Sequence, residues 1–196
     1  MGVKMSLIPA IDNLRNQDGS LDADKIEQII PYHRPFLLIE KILFLDKNKL
    51  TAVKHLNKDD FFFNGHFTDF PIMPVSMMIE GLGQAATLLI RYNIEQNLPK
   101  YVLAHKIQSH NELEVLAHKA NDLVLNKPSF PGNTLRYEIN LVEIDERRAT
   151  LFGRIIKETK KIVDGSERIT DEEIGQVKLV FGIVNRKEFR NRGLKR

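Results

Sequence analysis

The spacing of apolar residues changes along the chain, and the changes mark its elements. Residues 1–20 show no sustained period and carry Asn13, Asn16, Asp18 and Gly19, so they read as a loose N-terminal extension. A short helix is expected over about 22–30, capped by Ser20 or Asp22 and ended by Pro31. Two apolar runs, 36–45 (FLLIEKILFL) and 50–56 (LTAVKHL), flank the polar turn Asp46-Lys47-Asn48-Lys49 and predict paired strands, although the first fits a helix by pattern alone. After Phe61-Phe62-Phe63 comes a loop holding Gly65, Pro71 and Pro74, and then a long helix over about 75–93. The second half reads as strands: part of 113–125, then 135–144, 149–157 and 176–184, with turns at Pro131-Gly132-Asn133 and Asp164-Gly165-Ser166. One long helix followed by antiparallel strands is an α+β arrangement.

The long helix carries its polar residues on one line. Ser76, Glu80, Gln84, Thr87 and Arg91 follow one another at steps of four, four, three and four, which confines them to an arc of about 80°. Nearly all other positions are apolar or small. So narrow a stripe means that most of the circumference is buried, as when a sheet wraps around the helix. Gly81, Gly83, Ala85 and Ala86 permit close backbone approach.

Composition narrows the chemistry. The 196 residues contain no cysteine, which excludes disulfides, iron–sulfur centres, thiolate nucleophiles and cysteine-type zinc sites, while permitting a reducing cytoplasm. The length fits one domain. The formal charge of +3 is local: residues 186–196 hold six basic side chains and one acidic, leaving 23 basic against 25 acidic in the rest. That tail reads as a solvated terminus, with nucleic acid, anionic lipid or an acidic protein as its other conceivable partners. The most apolar stretch, 75–90, is interrupted by Glu80 and Gln84 and is too short to span a bilayer. The six histidines form no i, i+4 pair, and no Walker, dinucleotide-binding or Gly-x-Ser-x-Gly pattern is present, so neither a metal nor a nucleotide cofactor is expected.

Two residues stand out. Glu80 is either a passive residue on a solvent face or, given Met77, Met78, Ile79 and Leu82 around it, a carboxyl set in an apolar slot and fit to act as an acid. His66 is either a core histidine satisfied by a carbonyl or a proton-transfer group, since its Gly- and Pro-punctuated loop leads into a helix start whose unpaired N–H groups can hold a carbonyl oxygen. His, Glu and such an oxyanion site are the parts needed to remove a proton beside a carbonyl and expel a hydroxyl.

The stretch Gly65-His66-Phe67-Thr68-Asp69-Phe70-Pro71-Ile72-Met73-Pro74, followed by Met78-Ile79-Glu80-Gly81-Leu82-Gly83-Gln84-Ala85-Ala86, resembles the active-site segment of the β-hydroxyacyl-acyl-carrier-protein dehydratases of bacterial fatty-acid synthesis. The likeness extends upstream to Ile30-Pro31-Tyr32-His33-Arg34-Pro35-Phe36-Leu37-Leu38-Ile39-Glu40, and downstream to the turn within 126–135 and to Val163-Asp164-Gly165. It implies a hotdog fold, an antiparallel sheet wrapped around one long central helix, in a homodimer or trimer of dimers acting on acyl carrier protein bearing a 3-hydroxyacyl chain. It also implies that His66 takes the α-proton and that Glu80 of a second subunit protonates the departing hydroxyl. The same resemblance implies that Val75 at the helix start supplies the oxyanion N–H, with Gly65 and Gln84 as the other oxyanion- or substrate-binding residues, Gln84 holding Glu80 in place, and that Phe67, Phe70, Met77 and Met78 line an acyl tunnel. No cofactor, nucleic acid or membrane insertion is implied. Arg34, Lys106 and the tail are candidates to steer an acidic carrier.

Three departures from the family pattern are visible: Val75 where glycine is usual, Thr68-Asp69-Phe70-Pro71 in place of a small-residue turn, and Arg34 where tyrosine is common. A hotdog thioesterase, with Glu80 attacking or activating water, and a non-catalytic acyl-binding module, with Val75 crowding the oxyanion position, are the competing functions. The expected organisation is an extension over 1–21, a hotdog domain over 22–185 with an acidic insertion near 167–173, and the basic tail over 186–196.

Overall fold

The structure, a computed structural model, describes residues 10–164 and 166–193. A seven-stranded sheet curls around one helix. The strands are β1 (Leu21–Asp22), β2 (Lys41–Leu45), β3 (Lys49–His55), β4 (Leu113–Leu125), β5 (Thr134–Ile144), β6 (Arg148–Val163) and β7 (Ser166–Asn185), and the helices are α1 (Ala23–Ile29), α2 (Val75–Gln96), α3 (Leu98–His105) and α4 (Arg186–Gly193). Every strand pairing is antiparallel, in the spatial order β1-β2-β3-β5-β6-β7-β4.

The predicted central helix forms and runs three residues past the expected end. From Leu82 to Ile94 nearly every side chain is buried, and it packs on β3, β4, β5 and β6. Two glycines permit this approach. A Cβ on Gly81 would lie 2.6 Å from the Tyr137 hydroxyl, and one on Gly153 would lie 2.1 Å from Leu82 Cδ2. The first is the close approach expected of the small residues on α2; the second is its counterpart on the sheet.

The structure departs from expectation where polar partners lie far away in sequence. The run 36–45 yields a strand only over Lys41–Leu45. Over 36–38 the backbone is held by the buried Gln84 side chain: Nε2 donates to Phe36 O at 2.9 Å and Oε1 accepts from Leu38 N at 2.8 Å. The segment read as loose is packed from residue 11 onward. Ile11 is buried in the core, its N–H donates to both Glu95 carboxylate oxygens at 3.1 Å, and Arg15 donates to Leu45 O while stacking on the Tyr92 ring. Residues 1–9 of the expected extension lie outside the described residues.

The tail is not loose either, because residues 186–193 form α4. Arg186 meets Glu114 at 2.5 Å and Lys187 meets Glu112 at 3.4 Å, so part of the basic excess is spent on the body's own carboxylates. Residues 194–196 lie outside the described set. Strands β6 and β7 pair as a hairpin out to Val163 and Ser166, well beyond the strand lengths read from the sequence; Gly165 of the expected turn lies outside the described residues.

Candidate active site

His66 is positioned from the backbone upward. The short 3-10 turn over Phe61–Phe63 buries Phe62 and Phe63, Gly65 takes φ +83, and His66 N donates to Phe63 O. The positive φ is one that glycine adopts without a steric penalty. The loop then folds back, with Ile72 N donating to His66 O at 3.0 Å, and Met73 N ties it to Ser129 O at 2.9 Å. Phe70 packs edge-on against Phe130 at 5.1 Å, which fastens the loop tip to the turn before β5.

The half-buried His66 ring has its Nδ1 3.0 Å from Ile72 O. A carbonyl can only accept, so Nδ1 carries a proton, and the nitrogen left to exchange a proton with a substrate is Nε2. Phe67 stacks beside the imidazole at 4.7 Å. His66, Phe67, Ile72, Met73, Pro74, Val75, Ser76 and Met78 wall a cleft of about 520 Å³, closed on its other side by Leu125, Asn126, Lys127 and Pro128. The start of α2 opens into it. Val75, at the first helical position, has no intrahelical acceptor for its N–H, and its side chain is 51% exposed.

Glu80 and Gln84 are not among the walls of this cleft. They lie further along α2, where Gln84, fully buried, donates from Nε2 to Glu80 Oε1 at 3.1 Å. Tyr32 is close to the same stripe: burial first, and then the charges of Glu80 and Glu114, push its hydroxyl pKa up, while the Thr87 side chain opposes the shift. Of the expected tunnel residues, Phe67 and Met78 border the cleft. Met77 packs against the core, and Phe70 faces Phe130.

Lys127 is a cleft residue that the sequence did not single out. It pairs with Glu172, which Lys157 also reaches at 3.1 Å, and Lys157 donates to Pro128 O. Two lysines thus share one carboxylate beside the cleft, and of the two only Lys127 is on its wall. Its signal in the sequence, a lysine inside the turn motif 126–135, was available but silent on direction. Lys106 instead sits beyond the opposite end of β4, where Leu113 pairs with Asn185. Arg34 is held by Asp24 and Glu27, which leaves it little free charge. Among the described residues no cluster of His, Asp and Glu could hold a metal ion, and no helix is long and apolar enough to cross a membrane.

A curved antiparallel sheet closed around one long helix, with a histidine loop feeding the helix start, defines a hotdog-fold protein. The chain belongs to the FabA-like family, whose domain model matches residues 30–170. It is 31% identical over 133 residues to the 3-hydroxyacyl-acyl-carrier-protein dehydratase FabZ of Solibacter usitatus, covering 68% of this chain and 74% of that one. It is 26% identical over 164 residues to the FabZ of Petrotoga mobilis, covering 83% of this chain and 98% of that one. Among solved structures, the dehydratase heterocomplex ApeI:P from Xenorhabdus doucetiae shares the fold with a TM-score of 0.63 at 16% identity, over 85% of this chain and 95% of that one.

Proposed function

We propose that the protein is a hydro-lyase that dehydrates a (3R)-3-hydroxyacyl-acyl-carrier protein to the trans-2-enoyl thioester in fatty-acid or related acyl-chain biosynthesis. The observation that carries the reading is the placement of His66: it lines a cleft that ends at a helix N-terminus, and with Nδ1 donating to Ile72 O at 3.0 Å, Nε2 is the nitrogen left for proton transfer. The thioester carbonyl accepts the Val75 N–H, and the positive end of the helix stabilises charge on that oxygen as the α-proton leaves. Nε2 takes the α-proton, the Cβ–O bond breaks, and a protonated carboxyl supplies the proton that lets hydroxide leave as water. The resulting imidazolium and carboxylate return to their starting states by exchanging one proton, so the net products are enoyl thioester and water.

We assign the carboxyl to Glu80 of the partner subunit, a reading supported by the position of Glu80 outside the cleft of its own chain. On this reading the active assembly is a homodimer or a trimer of dimers. Gln84 acts on the acid as a positioning residue through its 3.1 Å hydrogen bond. Lys127, on the cleft wall, is the residue placed to meet the acidic carrier. The reaction needs no cofactor, since the thioester acidifies the α-proton, and its setting is the cytoplasm.

Incubation with a 3-hydroxyacyl thioester should raise the ultraviolet absorbance of a conjugated enoyl product. His66→Ala and Glu80→Ala should each lower the rate about 10²- to 10⁴-fold. Mixing the two inactive variants and allowing subunit exchange should restore part of the activity, because one hybrid site then has both groups. Full activity in His66→Ala would sink the mechanism. Release of free thiol without enoyl formation would select a thioesterase instead, and no recovery on mixing would place both groups in one chain.

A further inference from the structure

Val75 meets the cleft with two groups at once. As the first residue of α2 it has a backbone N–H without an intrahelical acceptor, and its side chain, 51% exposed, stands in the cleft wall with His66. Both leave the helix in the same sense, because the Cα–Cβ bond of a helical residue tilts toward the N-terminus, the way the first N–H groups point. Covalent geometry puts the Val75 Cβ about 2.5 Å from its own nitrogen, and an oxygen bound to that N–H lies about 2.9 Å from the same atom. The two γ-methyl groups therefore flank any carbonyl held there. They are also stiff, since a β-branched side chain in a helix keeps essentially one χ1 rotamer.

The walls around Val75 are fixed to one another. Leu125, Asn126, Lys127 and Pro128 form the far side of the cleft. The His66 loop is tied to the same turn by Met73 N, which donates to Ser129 O at 2.9 Å, and by the Phe70–Phe130 ring pair at 5.1 Å.

On the dehydratase reading, the thioester carbonyl sits on the Val75 N–H while His66 Nε2 removes the α-proton. That C–H bond must stand perpendicular to the carbonyl plane, so that its electron pair passes into the carbonyl as the enolate forms. The other two α-substituents then lie near the plane, one on the sulfur side and one on the oxygen side. In an unbranched substrate the remaining α-hydrogen takes the oxygen side, next to Val75. An α-methyl group removes this option: both in-plane positions hold carbon, and one of them must meet the γ-methyl groups.

We propose that Val75 is the specificity-determining residue at the α-carbon, restricting the protein to 3-hydroxyacyl thioesters without an α-branch. The proposal rests on the dehydratase reading and adds the substrate class to it. Its test is a ratio of two substrates, which does not depend on the amount of active enzyme or on the strength of the oxyanion contact they share.

The full-length protein is assayed for enoyl formation with pantetheine thioesters of (3R)-3-hydroxyhexanoate and of its two α-methyl diastereomers, so that either α-hydrogen can be presented to His66. Wild type should prefer the unbranched substrate in kcat/KM by at least about tenfold, the usual effect of one surplus methyl group in a pocket. Val75→Ala, which keeps the helix start and removes both γ-methyl groups, should shrink that preference about tenfold. Val75→Thr, which keeps the branched shape, should retain it. Equal rates on branched and unbranched substrates in wild type, an unchanged preference in Val75→Ala, or its loss in Val75→Thr would each overturn the proposal while leaving the dehydratase reading intact. Enoyl formation from none of the three thioesters would instead remove the dehydratase reading, and this proposal with it.

Discussion

At the start of α2, Val75 and Ser76 are exposed and border the cleft, whereas three to four turns on, the same polar stripe is buried at Thr87 and Arg91. Glu80 and Gln84 sit at the transition, the first half-buried and the second fully buried. One sequence pattern therefore serves two physical tasks. At the open end, polar groups stay available to a substrate and contribute little to stability. At the closed end, the polar side chains hold backbone carbonyls: Thr87 returns to Gly83 O, and Arg91 Nη1 and Nη2 hold the carbonyls of His110 and Leu113 that lead into β4. Amphipathicity alone does not distinguish a working face from a buried fastening; the location of the acceptors does.

The sharpest way to break this comparison is at the closed end. Arg91→Met keeps the stem but strands two buried carbonyls and removes the cation facing Glu114, and should cost about 3 kcal/mol in urea unfolding. Catalytic rates measured well below the unfolding midpoint should stay close to wild type, because Arg91 lies far from the His66 cleft. Wild-type stability in this variant would mean that the stripe is passive along its whole length.

Gln84 should show both behaviours. Gln84→Leu leaves Phe36 O and Leu38 N without their partner and should lower stability by about 2 kcal/mol. It also frees Glu80, so kcat should fall with KM little changed, the signature of a lost interaction at the transition state rather than in substrate binding. Loss of stability with kcat intact would reduce Gln84 to a brace for residues 36–38 and remove it from the acid's support.

What the sequence revealed and what it hid follow the same physical line. The α2 period, the turns and the order of the strands are local signals, and they placed the architecture. The His66 loop was legible because Gly65, Pro71 and Pro74 punctuate it and a helix start follows. The docking of residues 11–20 was not legible, since it depends on Glu95, Tyr92 and Leu45, each distant in sequence. Helix α3 escaped notice because it is only eight residues long, with Pro99 at its start and Lys106 in a left-handed conformation ending it. The basic tail misled through composition: its charge count was right, but Glu112 and Glu114, which order it, lie some 70 residues upstream.

The smallest expected effect concerns Glu95 at the closed end, and its sign is informative. Burial, together with the nearby Asp12 charge, raises its pKa above the usual glutamate value, although the Ile11 N–H pulls the other way. A carboxyl whose pKa is raised on folding favours the folded state while protonated, and that contribution is lost as pH rises through the folded-state pKa. At neutral pH the ionised group is therefore a small burden, kept well under 1 kcal/mol by solvent screening. Glu95→Gln retains an oxygen to accept the Ile11 N–H and removes the charge. It should be slightly more stable than wild type at pH 7, with the difference disappearing as pH falls below about 4.3, where the unfolded glutamate is also protonated. Chemical denaturation at pH 7 and pH 4 measures both. If the variant were instead less stable at pH 7, the ionised carboxylate would be the form that fastens the N-terminal segment, and the closed end of the helix would hold an active charge rather than a tolerated one.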